Sequence, residues 1–409
     1  MLNREAFLAF LVAFRAWIRT ELPRLNSAVE AGAELGGFLS AVQPWMTKFE
    51  RLIQPVIQEL SRFEARDALQ LASFVVGSTE RHFQARQLQP GLGLCQFGNL
   101  DQMLVELGRI AGHPPVGSHY TYWIWNDETS PILFTGDDQE THFSRVVRTT
   151  ERLHQDSCQA LRPICNLACE FSSSVATAAI MRAARNTAEL CGEFSSFIKE
   201  IDGVWAFQPD FFTRRMRTYL PTYPVCGTEW SGVNAANLAS QMSMDFLLGT
   251  TSQKYMGTVR ERWRYLTLED QIALDRDMHL ASLTSIAMTT SGLDGSVIQS
   301  VSDEELVNVI SSQPDNIREA LLAYEQLFNA WARLTGIHWM LIYHYLIEPT
   351  SRMSREEIAS LPVRPDMGTG HMSHADTMSI RDMRRKHPVA GKLASAIAVA
   401  RRTHVYCAN

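Results

Sequence analysis

Residues 315–347 read DNIREALLAYEQLFNAWARLTGIHWMLIYHYLI, and this stretch decides the class of fold. It contains no proline and a single glycine, and Asp315 is a residue type that commonly caps the start of a helix. Mostly apolar positions recur every three or four residues, as they do on one buried face of an α-helix. These positions are Ile317, Leu321, Tyr324, Phe328, Trp331, Thr335, His338, Ile342 and Tyr345. The pattern predicts one long helix that runs from Asp315 to about Ile347.

Helical spacing also dominates the rest of the chain, most clearly in residues 1–85 and 140–202. Tyr120–Asn126 (YTYWIWN) is aromatic and β-branched, and it is the one candidate for a short strand or a buried extended segment. A single strand cannot form a sheet, so we predict an all-α protein. We expect a smaller, mostly helical N-terminal domain over 1–138 and a large helical domain over 139–409 that carries the site.

Composition narrows the classes of protein. The 409 residues are 45% hydrophobic and 20% charged, which is typical of a soluble globular chain, and the net charge of -6 gives no basis for binding nucleic acid. No apolar run reaches the roughly eighteen residues of a membrane span, so no membrane association is expected. Seven cysteines without a CxxC pair indicate neither a disulfide framework nor a thiolate zinc site, and a reducing cytoplasm is the expected location.

His338 lies on the long helix's predicted buried face, where an apolar residue is expected. A buried imidazole needs partners for its ring nitrogens, so His338 is either a hydrogen-bonded core residue or a ligand of a metal or haem. The small residues Thr335 and Gly336 could leave room for a flat group beside it. His344 is six residues further on, about 240° around the helix, and faces elsewhere.

The segment 368–374 offers two further features. Gly368-Thr369-Gly370 is either an ordinary turn or a backbone closely approached by a flat group. His371 and His374 have the spacing of a metal-binding pair, but no third ligand is evident nearby. We therefore expect these two histidines to be solvent-exposed or to cap a helix.

Taken together, several of these segments resemble the indoleamine 2,3-dioxygenase and tryptophan dioxygenase-like haem superfamily. His338–Ile347 followed by Gly368–Gly370 resembles the end of the dioxygenase, Met244–Thr250 (MDFLLGT) is similar to another of its stretches, and Pro209–Leu220 resembles its substrate-carboxylate segment. The N-terminal half is more similar to the tryptophan-rearranging haem enzyme of pyrrolnitrin biosynthesis. The blocks that carry this second likeness are Phe74–His82, Pro90–Leu92, Trp123–Asn126 and Thr135-Gly136. The order of all these blocks is that of the family, over most of the chain.

The resemblance implies haem b as the cofactor, with His338 as the protein ligand of the iron. It also implies that Arg217 is catalytic and pairs with the carboxylate of the substrate, a role for which a guanidinium fork is well suited. The alternative is that Arg217 is a surface cation on a helix that also carries Arg214 and Arg215.

The resemblance assigns further roles around the haem. Thr369 would reach toward the substrate or a haem propionate, and His371 would add a proton donor that the dioxygenase lacks. Thr213 stands where the family has a second distal phenylalanine, which leaves the identity of the substrate open. The implied binding positions are Phe212, Arg217, Gly232, Val233, Asn234, Gly368, Thr369 and Gly370.

One departure concerns the propionate. The dioxygenase has an arginine three residues before its haem histidine, and Thr335 stands at that position here. Arg333 is a candidate substitute from a different angle. Asp245 corresponds to the acidic neighbour of the family's arginine and is retained.

The function that the resemblance implies is a haem-dependent oxygenase acting with O2 on an indole or tryptophan-like substrate. The combination of the two likenesses with the altered pocket residue favours oxidative rearrangement in specialised-metabolite biosynthesis. An electron donor is a candidate partner. Ring-opening tryptophan or indoleamine dioxygenation in catabolism is the alternative reaction. A non-catalytic haem sensor or carrier and a cofactor-free helical interaction protein are alternatives of other classes.

Overall fold

The structure, a computed structural model, describes residues 2–201, 203–233, 238–295, 298–363 and 373–407. Helices dominate these ranges, which confirms the predicted all-α class. None of the helices described is long and apolar enough to cross a membrane. The α-helices are α1 Leu2–Glu30, α2 Leu35–Ile53, α3 Arg62–Gln84, α4 Leu100–Ala111, α5 Asp138–Cys165, α6 Ser174–Ser195, α7 Ala239–Leu248, α8 Gln253–Arg262, α9 Leu268–Met278, α10 Leu283–Thr290, α11 Asp303–Ser311, α12 Asp315–Ile342, α13 Glu348–Ser351, α14 Arg355–Ser360, α15 His374–Arg385 and α16 Ala390–Cys407.

The β-structure in the described ranges is limited to two short antiparallel hairpins. Strand β1 (Glu200–Ile201) pairs with β2 (Val204–Trp205), and β3 (Tyr223–Val225) pairs with β4 (Thr228–Trp230). Both hairpins lie in the connection between α6 and α7. They shape this connection and do not form a sheet of their own.

The prediction of a short strand or a buried extended segment at Tyr120–Asn126 is wrong about the backbone, because Tyr120–Ile124 forms a π-helical turn. The segment is nevertheless buried, as its composition indicated. The Asn126 side chain holds the turn in place: its amide nitrogen donates to the carbonyl oxygens of Tyr122 and Ile132, and its amide oxygen accepts from the Ile132 backbone N–H. Aromatic residues favour buried positions on any backbone, so their abundance indicated burial and not extension.

Helix α12 confirms the long helix predicted from Asp315. It passes at Tyr343–Ile347 into a π-helical turn, which leads directly into α13. Pro349 has no N–H to donate to the carbonyl oxygen of Tyr345, four residues earlier. That oxygen instead accepts a hydrogen bond from the Thr213 hydroxyl in a second π-helical turn, Phe211–Arg215. The two π-helical turns are therefore joined where the chain leaves α12.

Two hydrophobic clusters fill most of the interior. The first unites α1 to α4 with parts of the connections that follow, and the second centres on α5, α6, α12 and α16. Trp331 and Tyr324 of α12 are fully buried in the second cluster, whereas Leu341 and Tyr345, further along, belong to the first. His338 therefore lies between the two clusters. The domain division at residue 138 stays a prediction.

Candidate functional site

A largely apolar cavity of about 210 Å³ adjoins His338. This volume is somewhat below the roughly 300–1,000 Å³ of ordinary small-molecule sites. Its polar lining includes Arg217, His338 and His374. Its aromatic lining consists of Trp123, Phe143, Phe194, Phe197, Phe207, Phe212 and Tyr345. Rings on several sides of one cavity suit a flat, apolar ligand.

His338 borders this cavity from α12. Its ring is half-buried beside the ring of Phe194, with 5.8 Å between the centroids. Burial and, to a smaller extent, the positive charge of Arg384 together lower the pKa of His338 to about 4. The imidazole is therefore neutral at pH 7, the state in which a histidine binds a metal. In the described part of the chain it forms no hydrogen bond, so the alternative of a hydrogen-bonded core residue gains no support there.

Arg217 is only 1% exposed and lines the same cavity, so the alternative of a surface cation is wrong. It lies in the 3-10 turn Met216–Tyr219, which follows the π-helical turn at Phe211–Arg215. The neighbouring arginines point elsewhere: Arg214 pairs with Glu357 at 3.1 Å, and Arg215 pairs with Glu30 at 2.8 Å. A guanidinium buried at the wall of an apolar cavity is a strong site for a carboxylate.

The other predicted binding residues have different outcomes. Phe212 and Val233 line the aromatic cavity. Gly232 supports the wall from behind, because a Cβ atom there would lie 1.9 Å from the carbonyl oxygen of Leu220. The remaining predicted site residues lie outside the described residues; these are Asn234, Gly368, Thr369, Gly370 and His371.

His374 differs from expectation. It is the first residue of α15, and it is Ser373 that caps this helix, by accepting a hydrogen bond from the Asp376 N–H at 3.1 Å. The His374 ring is half-buried at the wall of the aromatic cavity, and its Nε2 atom is fully buried. The prediction that this histidine is solvent-exposed or caps a helix is therefore wrong.

A second, smaller cleft of about 50 Å³ continues from the aromatic cavity past His338. The two spaces share four lining residues, Gln241, His338, Ile342 and Thr377. The cleft differs from the aromatic cavity in its charge. Arg262, Arg381 and Arg384 line it, and no acidic side chain is among its described lining residues.

Asp245 anchors the cationic cleft from beneath. It is fully buried and accepts hydrogen bonds from Arg384 Nε at 2.8 Å and Arg384 Nη2 at 2.6 Å. The Tyr255 hydroxyl donates to it at 2.7 Å, and Trp331 Nε1 donates at 3.2 Å. The guanidinium of Arg384 also lies over the Trp331 ring, 5.1 Å from its centroid. Asp245 thus joins α7, α8, α12 and α15 beside His338.

Arg333 does not take the place of the family's arginine, because it is exposed on α12 and lines neither space. Arg384 reaches Asp245 from α15, and the sequence analysis missed it. A signal was available, because four polar residues on α15 are spaced three, four and three residues apart, as on one helix face. They are His374, Thr377, Arg381 and Arg384, and each lines at least one of the two spaces.

The site contains a neutral imidazole between the aromatic cavity and the cationic cleft. This donor set fits haem b, which has an apolar macrocycle, two carboxylates on one edge and an iron that takes a single histidine ligand in many proteins. The described residues contain no cluster of three or more histidine, cysteine or acidic side chains that could hold a bare metal ion. Compared with known proteins, the chain matches no protein-family model and no curated protein, so its membership of the haem dioxygenase superfamily stays a prediction.

Proposed function

We propose that this chain is a haem-dependent oxygenase that acts with O2 on an aromatic carboxylic acid of the indole or tryptophan-like class. The observation that carries the proposal is the neutral ring of His338 at the junction of the aromatic cavity and the cationic cleft. An aromatic cavity alone suits many ligands. A neutral histidine, a buried arginine and a cationic cleft with no acidic side chain among its described lining residues restrict the choice of ligand.

In this proposal His338 would hold the iron, and haem, when bound, would supply the oxygen chemistry. The positive field of Arg384 and the burial of the ring both keep His338 unprotonated, so a proton does not compete for the ligating nitrogen.

Arg217 and the aromatic rings would bind and orient the substrate. The guanidinium would take the carboxylate, and the rings of Phe143, Phe207 and Phe212 would contact the flat body. These three rings pack against one another with centroids 5.7–5.8 Å apart, so the wall is already assembled. Positioning the substrate and excluding water are the contributions that the protein would make to the reaction.

Rearrangement in specialised-metabolite biosynthesis remains our favoured outcome, and catabolic ring opening remains the alternative. The support is the N-terminal likeness together with Thr213, which replaces an aromatic residue of the family's pocket. In this structure Thr213 is buried and bonds to the Tyr345 carbonyl oxygen, so it joins two turns of the wall and presents no ring to the ligand.

The first test is the absorbance spectrum of the protein expressed with added haem precursor. We expect a Soret band that shifts on reduction and on CO binding, and that is lost or strongly altered in His338→Ala. His344→Ala is the matched control: His344 is on the same helical stretch but pairs with Glu348 at 3.0 Å, so its removal should leave the spectrum unchanged. A colourless protein, or equal spectra for both variants, would contradict the proposal.

The second test separates an oxygenase from a haem carrier. Indole-3-acetate and indole are titrated into the ferric protein, and the change in the Soret band is followed. We expect the carboxylate to bind more tightly, and Arg217→Gln to remove about tenfold or more of that preference, as loss of a charge-assisted hydrogen bond does. A carrier has no need of such an anchor and would show no preference. Screening for O2-dependent products then distinguishes ring opening from rearrangement.

A further inference from the structure

The cationic cleft has chemistry of its own. Arg262 and Arg384 are buried, and Arg381 is largely so, its side chain 19% exposed. Burying charged guanidinium groups is costly unless an anion compensates them. The carboxylates that pair with Arg381 and Arg384 differ in how far they are buried.

Asp245 compensates Arg384, and the pair is fully enclosed. Asp382 pairs with Arg381 at 2.7 Å, but the Asp382 side chain is 42% exposed, and a pair of that kind contributes little. Asp382 contacts Nε and Nη2 of Arg381. In the described part of the chain, Nη1 of Arg381 therefore remains for another acceptor.

The Arg381 guanidinium is held in a defined plane. It lies over the ring of Trp339, 5.1 Å from the centroid, and Trp339 also lines the cleft. Trp339 follows His338 directly in α12, so the same helix turn places the imidazole and the surface on which Arg381 stacks. A stacked guanidinium loses little further freedom when it binds a carboxylate.

We propose that the cleft binds a carboxylate on the edge of the planar ligand whose apolar body fills the aromatic cavity, with Arg381 as the direct contact and Arg384 as a positioning residue. This inference rests on the proposed function, in which that ligand is haem and the carboxylates are its propionates. It assigns the anion-binding role to α15, because the helix that carries His338 presents the small, uncharged Thr335 to the cleft.

The binding of Arg384 to Asp245 makes this arrangement rigid. Two guanidinium nitrogens of Arg384 are used by Asp245, so Arg384 fixes the position of α15 and adds to the positive field. Arg381 lies three residues earlier, on the same face of α15. The bound carboxylate would then stabilise the position of α15 through Arg381, and the cleft would close over the edge of the ligand.

The test compares haem with haem dimethyl ester, in which both carboxylates are blocked. The apoprotein is titrated with each compound, and the dissociation constants are obtained from the Soret band. We expect the wild-type protein to prefer free haem by about tenfold or more, and Arg381→Gln to lose most of that preference. Arg385→Gln is the matched control, because Arg385 is the exposed neighbour on α15 and lies outside the cleft, so its preference should equal that of the wild type.

Two further measurements make the test decisive. Arg381→Lys keeps the charge and should retain part of the preference, and circular dichroism shows whether each variant is folded. Proteolysis within α15 should slow when free haem is bound and not when the diester is bound. If wild type binds both compounds equally, or Arg381→Gln keeps the full preference, the inference is wrong while the proposed function stands. If neither compound binds, the proposed function fails first.

Discussion

The buried pair of Asp245 and Arg384 allows a prediction that does not depend on any ligand. Both side chains are removed from water, with Asp245 fully buried and Arg384 6% exposed. Asp245→Asn removes the negative charge but keeps the shape and one acceptor oxygen for Tyr255 or Trp331. The main effect is then an uncompensated guanidinium in the protein interior.

The magnitude follows from that burial. Removing one partner of a buried ion pair typically costs about 3–5 kcal/mol, because the remaining charge has lost its hydration without compensation. Arg384→Met alone should also be destabilising, since it leaves the Asp245 carboxylate uncompensated. The double variant Asp245→Asn with Arg384→Met removes both charges and should recover about 2 kcal/mol or more of the summed loss.

The assay is denaturation by guanidinium chloride followed by circular dichroism, for the wild type, the two single variants and the double variant. Glu21→Gln is the control, because Glu21 pairs with Arg24 at the surface and its removal should cost less than about 1 kcal/mol. The reasoning is refuted if Asp245→Asn costs no more than this control. It is also refuted if the double variant loses the simple sum of the two single losses.

The remaining predictions concern Glu151, which follows the cavity-lining Thr150, and two glycines. Burial raises the pKa of Glu151 from 4.5 to about 7, so the folded protein keeps a proton that the unfolded chain releases, and stability should fall as the pH rises from 4.5 to 7. Glu151→Gln should remove this decline and be more stable than the wild type at pH 8 by about 2–3 kcal/mol, as measured by denaturation at several pH values. If the unfolding free energies of the variant and the wild type changed with pH in the same way, Glu151 would not be the cause of the decline. Gly232→Ala should lose about 1–3 kcal/mol, because its Cβ would lie 1.9 Å from the Leu220 carbonyl oxygen. Gly257→Ala, in open space within α8, should instead gain about 0.5–1 kcal/mol, and a thermal melt that ranked the two variants in the opposite order would contradict both expectations.

The spacing of apolar residues was sufficient to predict α12, because the pattern lies within the helix's own segment of sequence. A stripe of positions three and four residues apart dictates which face of the helix is buried, and His338 lies where the stripe placed it. The π-helical turn at its end depends on Pro349 and on the distant Thr213, so spacing alone did not indicate it. The Tyr120–Asn126 segment failed for a related reason, since its composition indicated burial but not backbone conformation.

The cationic cleft was harder to predict than the aromatic cavity. Its main pair, Asp245 and Arg384, is separated by 139 residues, and no local pattern links the two. The likeness to a family drew attention to Asp245 and to Thr335. Thr335 is uncharged and stands where the family has its arginine, so Arg333 was the nearest candidate in sequence. Only packing shows that the guanidinium arrives from α15. The polar face of that helix could be identified in the sequence, but the part of the fold against which it packs could not.

The 139-residue separation also has a consequence for how the protein is made. Chains leave the ribosome from the N-terminus at about 5–20 residues per second, so Asp245 emerges roughly 7–28 s before Arg384. In roughly the last third of that interval, after His338 has emerged, the nascent chain has α12 but lacks the helix that closes the cleft and neutralises Asp245. The pocket is therefore completed only when α15 has emerged. A cofactor that needs both histidine and cleft would be captured only after α15 has been translated and has joined the folded body.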